Sequence, residues 1–397
     1  MKKYKLCSII AFLMIVFCAC STMNVSHVDN NGEIQKSEGI YYSLPKTVIT
    51  VAVTVEKTSK VKGPFASYAL KYLGLTDVIS ENTSSYAMSS VTLGSYSIPD
   101  PDQYFFIESC KLKKKNIMLS FEEYGVLKGV NNRYMNSYKN NYYDTSVVTV
   151  SNENEIPEQN FMNPNIAEAF DTIIEKINLD TNIIIKKTIK KVYVDKTTER
   201  KAKEAADFII ELEESRLSLL TGYSEVNYSK EAIEYMAVQL EKTEQEYLHL
   251  FTGITVKSEY KYYFSYIPVG NNTALSVPLF RLSDKYGICD TSDYKGESVY
   301  INIEPSGSTN NITSFEALRF DPKEKHHGIY YRIPEKANIS IMYKDRQIAS
   351  SDFLVAQFGP VCELQAKGIK SLSLNPESGS VQKVVFGKRK HGHFKHH

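Results

Sequence analysis

The chain is 397 residues long, with 47 basic and 46 acidic side chains, and 42% of its residues are hydrophobic. This balance is typical of a folded globular protein and excludes an intrinsically disordered chain, and the length predicts two or three structural units. The near-neutral charge argues against the basic face that nucleic-acid binding requires, so we expect no nucleic-acid partner. The 28 Tyr and 18 Phe, without any Trp, favour half-buried strands.

The N-terminus has the three parts of a secretory signal. Basic residues come first, an apolar stretch follows, and small residues precede Cys20. The string FCAC that ends at Cys20 resembles a bacterial lipobox, in which the last Cys is diacylated and becomes the first residue of the mature chain. We therefore predict a lipoprotein signal peptide over 1–19, lipidation of Cys20 and a flexible tether over 20–38. The alternative is an ordinary cleaved signal that happens to contain Cys.

Removal of the signal peptide changes the charge and the cysteine count. Three lysines leave with residues 1–19, so the mature chain has 44 basic and 46 acidic side chains, and four of the basic ones lie in the tail 387–397. The remaining body is mildly acidic. Besides Cys20, the mature chain keeps three cysteines, which allow one disulfide at most or behave as three buried thiols: Cys110, Cys289 and Cys362.

Residues 39–155 read as an N-terminal β-rich domain. From Thr47 the string TVITVAVTVEK alternates apolar β-branched residues with smaller ones, which predicts a strand. The following KGPFASYALKYLGL predicts a short helix, because Pro64 suits its first turn and Gly74 suits its end.

The middle of the chain, 156–253, predicts a mixed segment that contains an αα-hairpin. Residues 162–178 fit a helix, and residues 182–196 fit one or two strands. Two amphipathic helices then fill about 198–252, with Ser229 as the cap of the second and Gly253 at its end. Their apolar seam is expected to be buried between them or against a β-domain.

Strand patterns return over 254–386, which predicts a C-terminal β-rich domain, and the tail 387–397 is basic, His-rich and expected to be disordered. The predicted fold class is therefore α+β, with sandwich-like β-rich domains interrupted by a long αα-hairpin.

The string GIYYSLPK, Gly39–Lys46, returns as GIYYRIPE, Gly328–Glu335. We call these the first and second GIYY segments. Proline cannot donate to a β-ladder, so both segments predict strand starts or edges. After the proline the two apolar patterns differ in phase by one residue, which indicates different environments rather than copies of one strand. Their tyrosines are candidates for packing first and for ligand contact second: Tyr41, Tyr42, Tyr330 and Tyr331.

Several strings in order carry a resemblance: YYSLPKTVITVAVTVEK, KGPFASYALKYLGL, EYLHLFTG, GIYYRIPE and AQFGPV. Over about 39–386 the chain resembles an uncharacterised family of Bacteroidota envelope lipoproteins that contain a domain of unknown function. The resemblance implies an envelope lipoprotein of a Gram-negative bacterium. It supplies no catalytic residues.

Strings that mark common chemistries are missing from the sequence, among them G-x-S-x-G, H-E-x-x-H, C-x-x-C and a glycine-rich phosphate loop. Acidic residues at Asp290, Asp293 and Glu297 fit a solvated turn better than a calcium loop. Four tail histidines could meet a metal, but a loose tail offers no shaped site: His391, His393, His396 and His397. We therefore assign no catalytic residue, metal or cofactor.

These observations predict a non-enzymatic lipoprotein of the outer membrane, attached to the membrane through its lipid and binding an envelope protein or glycan. The serine after Cys20 does not fit retention in the inner membrane, and no acidic run for surface display follows, so we expect the periplasmic face. The alternative is a hydrolase or lyase that acts on envelope glycan or peptide through an unrecognised carboxylate site.

Overall fold

The computed structural model describes residues 25–28, 38–108, 117–132, 166–179, 182–221, 228–269, 273–319, 328–365 and 368–387. The predicted α+β class is confirmed, since several antiparallel sheets accompany a long helical pair.

Seventeen strands are found in the described residues: β1 (Val25–His27), β2 (Gly39–Val61), β3 (Thr83–Glu108), β4 (Leu119–Phe121), β5 (Leu127–Val130), β6 (Ile166–Leu179), β7 (Asn182–Asp195), β8 (Ile254–Tyr266), β9 (Leu275–Ser283), β10 (Gly287–Cys289), β11 (Glu297–Pro305), β12 (Gly328–Arg332), β13 (Glu335–Tyr343), β14 (Arg346–Val355), β15 (Val361–Gln365), β16 (Ile369–Leu374) and β17 (Val381–Phe386). The helices are α1 (Ala69–Leu73), α2 (Thr198–Thr221), α3 (Lys230–Thr252) and α4 (Asn310–Arg319).

The strands form five sheets. Their orders are β1-β3-β2-β8, β10-β9-β11-β13-β14, β17-β16-β5-β4, β12-β15 and β6-β7. The strand pairs with a described register are antiparallel, as in β11 with β13 and β6 with β7. Antiparallel pairing with short connections agrees with the alternating strand patterns of the sequence.

The chain divides into two units, which do not follow the chain order. The first gathers Met1–Val55, Met88–Thr149 and Lys261–His397, and the second gathers Glu56–Ala87 and Val150–Tyr260. Each of β2, β3 and β8 therefore has residues in both units.

The first unit buries the apolar faces that the alternating patterns predict. The predicted face of β2 is buried, from Ile49 through Val55 at every second residue. In the five-stranded sheet, β11 and β13 bury alternate isoleucines, so that Ile301 and Ile339 are both inaccessible. Another core cluster of this unit packs around Tyr42, Phe105 and Leu127.

The second unit contains the αα-hairpin. The core of this unit lies where α2 begins and α3 ends, and we call this end of the hairpin its base. Small residues of α2 let the helices approach, and they pack with larger residues of α3 and of the segment before α1: Ala202, Ala205, Ala206, Ile209, Tyr247, Leu250, Phe251 and Phe65. Ser229 caps α3 as predicted, because its hydroxyl accepts from the Ala232 amide. Gly63 has no room for a side chain, since a Cβ there would lie 2.4 Å from the Leu250 carbonyl oxygen.

The prediction of a helix over 162–178 is wrong. Ile166–Leu179 is strand β6, which pairs along its whole length with β7. Its isoleucines fit helical spacing, but they are β-branched, and pairing with the strand-forming string of β7 decides the outcome. Two further differences from the predictions are found. Val25–His27, which were predicted to belong to a flexible tether, form a strand that pairs with Phe105–Ile107. Helix α4 was not indicated by any sequence pattern.

Candidate functional site

The two GIYY segments start strands, and the structure brings them together in the first unit. Gly39 begins β2 and Gly328 begins β12. The Tyr330 amide donates to the Tyr42 hydroxyl at 3.0 Å. Phe105 stacks with both rings, with centroids 5.2 Å from Tyr42 and 4.4 Å from Tyr330. The recurrence of the string thus marks two halves of one contact.

A buried ion pair completes this contact. Arg332, at the end of β12, donates through Nη1 to the Pro45 carbonyl at 2.6 Å and through Nη2 to Asp100 Oδ2 at 2.5 Å. Both charged residues are about as buried as the apolar core, at 4% and 3% exposure. Lys46 Nζ lies 3.5 Å from the other oxygen of Asp100. Asp100 is therefore held as a counter-ion between two cations, which is a structural role.

A glycine from a third segment of the chain packs against Arg332 and Pro45. Gly379, with φ of 74°, accepts through its carbonyl from the Arg332 amide at 2.9 Å. A Cβ at this position would lie 2.9 Å from the Pro45 ring. Backbone approach of this kind is a use of glycine that the sequence alone does not reveal.

The four candidate tyrosines are not gathered on one surface. Tyr42 is fully buried and Tyr41 is 55% exposed, as expected for neighbours in a strand. Tyr41 packs on Phe106 with centroids 4.9 Å apart. Tyr330 and Tyr331 are half-buried. Burial raises the pKa of the Tyr42 phenol, and it raises the pKa of Tyr330 to about 12. Contact of Tyr41 with a ligand stays a prediction.

A second buried carboxylate, Glu335, organises the turn before α4. Its two oxygens accept five hydrogen bonds between 2.5 and 2.9 Å from the Ser306 hydroxyl and from the amides and hydroxyls of Ser308 and Thr309. Burial alone would raise the pKa of this carboxyl, but the donors outweigh it and lower the pKa to about 2. Glu335 stays ionised and fixes the loop. No sequence pattern singled it out.

The acidic turn after β10 satisfies its own carboxylates. Asp290 accepts from the amide and hydroxyl of Ser292, and Asp293 accepts from the Lys295 amide. These are Asx turns, in line with the predicted solvated turn. Across the described part of the chain, no group of three or more His, Cys, Asp or Glu is arranged to hold a metal.

The distal half of the αα-hairpin, which is the half away from its base, differs most from the predicted pattern of buried residues. The predicted seam is buried only at the base, since no described hairpin residue between Leu212 and Glu244 is buried. Leu219, Met236 and Leu240 are only half-buried. Large apolar side chains are exposed on the same stretch: Leu217, Leu220, Tyr228, Tyr235 and Val238.

An open groove of about 610 Å³ runs between the two helices on this distal half. We call it the hairpin groove. Both helices supply its lining, which is mainly apolar with a few polar groups: Glu214, Ser215, Ser218, Leu219, Tyr228, Tyr235, Met236, Gln239 and Leu240. The signal in the sequence was the apolar seam itself, which continues beyond the residues that the base of the hairpin can cover.

Other predicted site residues lie outside the described residues. These are Cys20, Cys110 and the tail histidines His391, His393, His396 and His397. Among the cysteines that the structure describes, Cys289 is half-buried and Cys362 is buried, and neither forms a disulfide. None of the described helices combines the length and the apolar character that crossing a membrane would need.

A family model, "Domain of unknown function (DUF4831)", matches residues 38–175 and 186–382. The chain belongs to this family. The match contains both GIYY segments and the whole αα-hairpin, while residues 176–185, which separate the two matched ranges, include the end of β6 and the start of β7. No curated protein and no solved structure matches the chain significantly.

Proposed function

We propose that this member of the family is a non-enzymatic lipoprotein of the outer membrane that binds another envelope component through the hairpin groove. Lipid on Cys20 attaches it to the membrane, with the folded body on the periplasmic side. The observation that carries the binding role is the exposed apolar surface on the distal half of the hairpin.

Exposed apolar residues support a binding role only when they are contiguous. Two of the exposed residues, Tyr228 and Tyr235, line the same groove together with half-buried apolar residues of both helices, and tyrosine is enriched at protein interfaces. The lining of the groove also contains Met236 and Leu240, two apolar residues that are only half-buried. A partner that filled the groove would remove this apolar surface from water, which is favourable.

The contact between the two GIYY segments, which we call the GIYY contact, is not an alternative binding site to the hairpin groove. Both terminal nitrogens of Arg332 already donate, to Pro45 and to Asp100, only its buried Nε has no hydrogen-bond partner among the described residues, and the central ring, Tyr42, is inaccessible. A ligand would have to break these interactions before it could enter.

The alternative of a glycan or peptide hydrolase has no specific observation in its favour. A carboxylate pair needs one acid that can give up or take a proton near neutral pH. Asp100 is held by Arg332 and Lys46, and Glu335 is held ionised by its donors. We therefore assign these two carboxylates to the fold.

The binding role is tested by photo-crosslinking in living cells. A photoreactive phenylalanine analogue replaces Tyr235 in the hairpin groove or, as a matched control, Tyr294, which is 89% exposed in the first unit. We expect a defined adduct with an envelope component from position 235 and none of the same mass from position 294. Equal adducts at both positions, or none at position 235, would contradict the role of the groove.

The anchor is tested separately, by Cys20→Ala. We expect loss of palmitate incorporation and release of the chain from the outer-membrane fraction, while Cys289→Ala, which changes a half-buried thiol of the fold, leaves both unchanged. Unchanged palmitate incorporation in the Cys20 variant would contradict lipidation at this residue.

A further inference from the structure

A row of carboxylates runs along α2 on the side of the hairpin groove. Asp207, Glu211 and Glu214 follow one another at i, i+4 and i+7, which places them on one face of the helix, and Glu214 lines the groove. All three are exposed. None of them has an ion pair with another residue in the part of the chain that the structure describes. We call these residues the acidic row.

The cations of the distal hairpin do not neutralise this row. Arg216 pairs with Glu244 at 3.2 Å, and Lys242 pairs with Glu246 at 3.9 Å. The third cation, Lys230, pairs with Glu234 within its own helix. Residues 211–244 contain eight Glu against these three basic residues. Glu214 is therefore an acidic residue without an ion pair among the described residues, in a mainly apolar lining, and Glu211 and Asp207 continue this negative face of α2 beyond the lining, towards the start of the helix.

The shape of the groove fits one more helix. Its lining on α3 consists of Tyr235, Met236, Gln239 and Leu240, which lie on one face of the helix, and Tyr228 adds to the lining just before the helix begins. From Tyr235 to Leu240 this stripe extends about 8 Å along the helix axis. An amphipathic helix that lays its apolar face between two helices is a common mode of recognition.

Building on the proposed binding role, we infer that the occupant of the hairpin groove is an amphipathic helix with Lys or Arg along one flank, supplied by another protein. Its apolar stripe covers Tyr235, Met236 and Leu240, and its basic flank lies along the acidic row. A second copy of this chain would bring two acidic rows together, and an anionic lipid surface would face the same repulsion.

The inference is tested with three synthetic helices of about 18 residues that share one stripe of leucines. Their flanks carry Lys, Gln or Glu at the same positions. The whole lipidated chain is held in phosphatidylcholine nanodiscs, and binding is measured by fluorescence anisotropy against empty nanodiscs. We expect the Lys-flanked helix to bind about tenfold more tightly than the Glu-flanked one, since three exposed charge pairs each contribute a small amount. The ratio should shrink as ionic strength rises from about 0.05 to about 0.5 M.

Matched charge reversals locate the effect. D207K/E211K/E214K should reverse the order, so that the Glu-flanked helix binds best. The control E213K/E234K/E241K makes the same change in net charge at exposed glutamates that lie off the groove face by helical spacing. It should keep the original order. If both variants shift the order equally, the acidic row is not the recognition element and the inference is wrong.

The other occupants are outcomes that overturn the inference. An adduct from position 235 that contains phospholipid would identify a membrane surface, and an adduct with twice the mass of the chain would identify a second copy. Equal binding of the Lys-flanked and Glu-flanked helices, together with a protein adduct from position 235, would overturn the basic partner while the binding role stands. Absence of both peptide binding and any adduct would overturn both.

Discussion

The GIYY contact and the hairpin groove use aromatic and charged residues in opposite ways. In the contact, Tyr42 is inaccessible, and the carboxylate of Asp100 meets two cations. In the groove, Tyr235 is 67% exposed, and the acidic row has no partner among the described residues. The string that stands out in the sequence by recurring serves the fold, whereas a common amphipathic helix pattern carries the exposed surface for which we propose the binding role.

This difference follows from what each region can satisfy internally. A buried polar group must find its partners within the chain, so a cluster of Tyr, Arg and Asp in a core is first a sign of structure. An apolar seam that is longer than the surface available to cover it stays exposed, and its exposure costs free energy unless a partner covers it. Mutations should therefore affect stability in the contact and binding in the groove.

The largest loss of stability is expected from Arg332→Met. The change leaves Asp100 as a buried charge without its closest partner, at a cost of about 3 to 5 kcal/mol in the free energy of unfolding. Urea unfolding measures this loss. The control Lys336→Met removes an exposed ion pair with Asp352 and should cost about 1 kcal/mol or less. Equal losses of unfolding free energy in the two variants would contradict the conclusion that the buried ion pair of the GIYY contact stabilises the fold.

Glu335→Gln should cost about 2 to 3 kcal/mol at pH 7, because a neutral amide cannot accept five hydrogen bonds as the carboxylate does. The pKa of Glu335 is lower in the folded chain, at about 2, than in the unfolded chain, at about 4.3. Ionisation therefore stabilises the fold above pH 4.3, and this contribution is lost as the pH falls towards 2.

The pH dependence separates this carboxylate from others. The difference in unfolding free energy between the native chain and the Glu335→Gln variant should be largest at pH 7 and should shrink steadily below about pH 4.3. Glu304→Gln, at an exposed position of β11, serves as the control and should change little at any pH. A difference for Glu335→Gln that did not vary with pH would contradict the five-donor arrangement.

Tyr42→Phe should have a smaller effect of about 1 to 2 kcal/mol, because it removes the acceptor of the Tyr330 amide and keeps the ring that stacks on Phe105. Tyr41→Phe is the matched control one residue away, at a side chain that is 55% exposed. We expect no measurable change in that variant. Similar losses at both positions would show that the hydroxyl of Tyr42 is not specifically used.

The strands and the αα-hairpin could be predicted because their information is local. Alternation along Ile49, Val51 and Val53 fixes a buried face, and caps such as Ser229 and Gly253 mark helix ends within a few residues. The prediction for β6 was wrong because the spacing of its isoleucines is compatible with both a helix and a strand. Only the pairing of β6 with β7 decides between them.

The GIYY contact could not be predicted because it depends on residues almost 300 positions apart. The recurrence suggested a shared use at strand starts, but not that Arg332 would donate to Pro45, nor that Asp100 would be its counter-ion. The donors around Glu335 also come from a separate loop. The hairpin groove escaped prediction for another reason, since the pattern shows an apolar seam without showing how much of it the neighbouring residues cover.

The smallest effect on stability is expected in the hairpin groove, where the largest effect on binding is expected. Tyr235→Ser changes an exposed side chain and should leave the unfolding free energy within about 0.5 kcal/mol. The same variant should abolish the adduct formed by a photoreactive residue at position 239, an exposed position of the same helix that lines the groove. Tyr42→Phe should do the reverse, with a lower stability and an unchanged adduct. If Tyr235→Ser destabilised the chain as much as Tyr42→Phe does, the exposed tyrosine would belong to the fold, and the contrast between the two regions would fail.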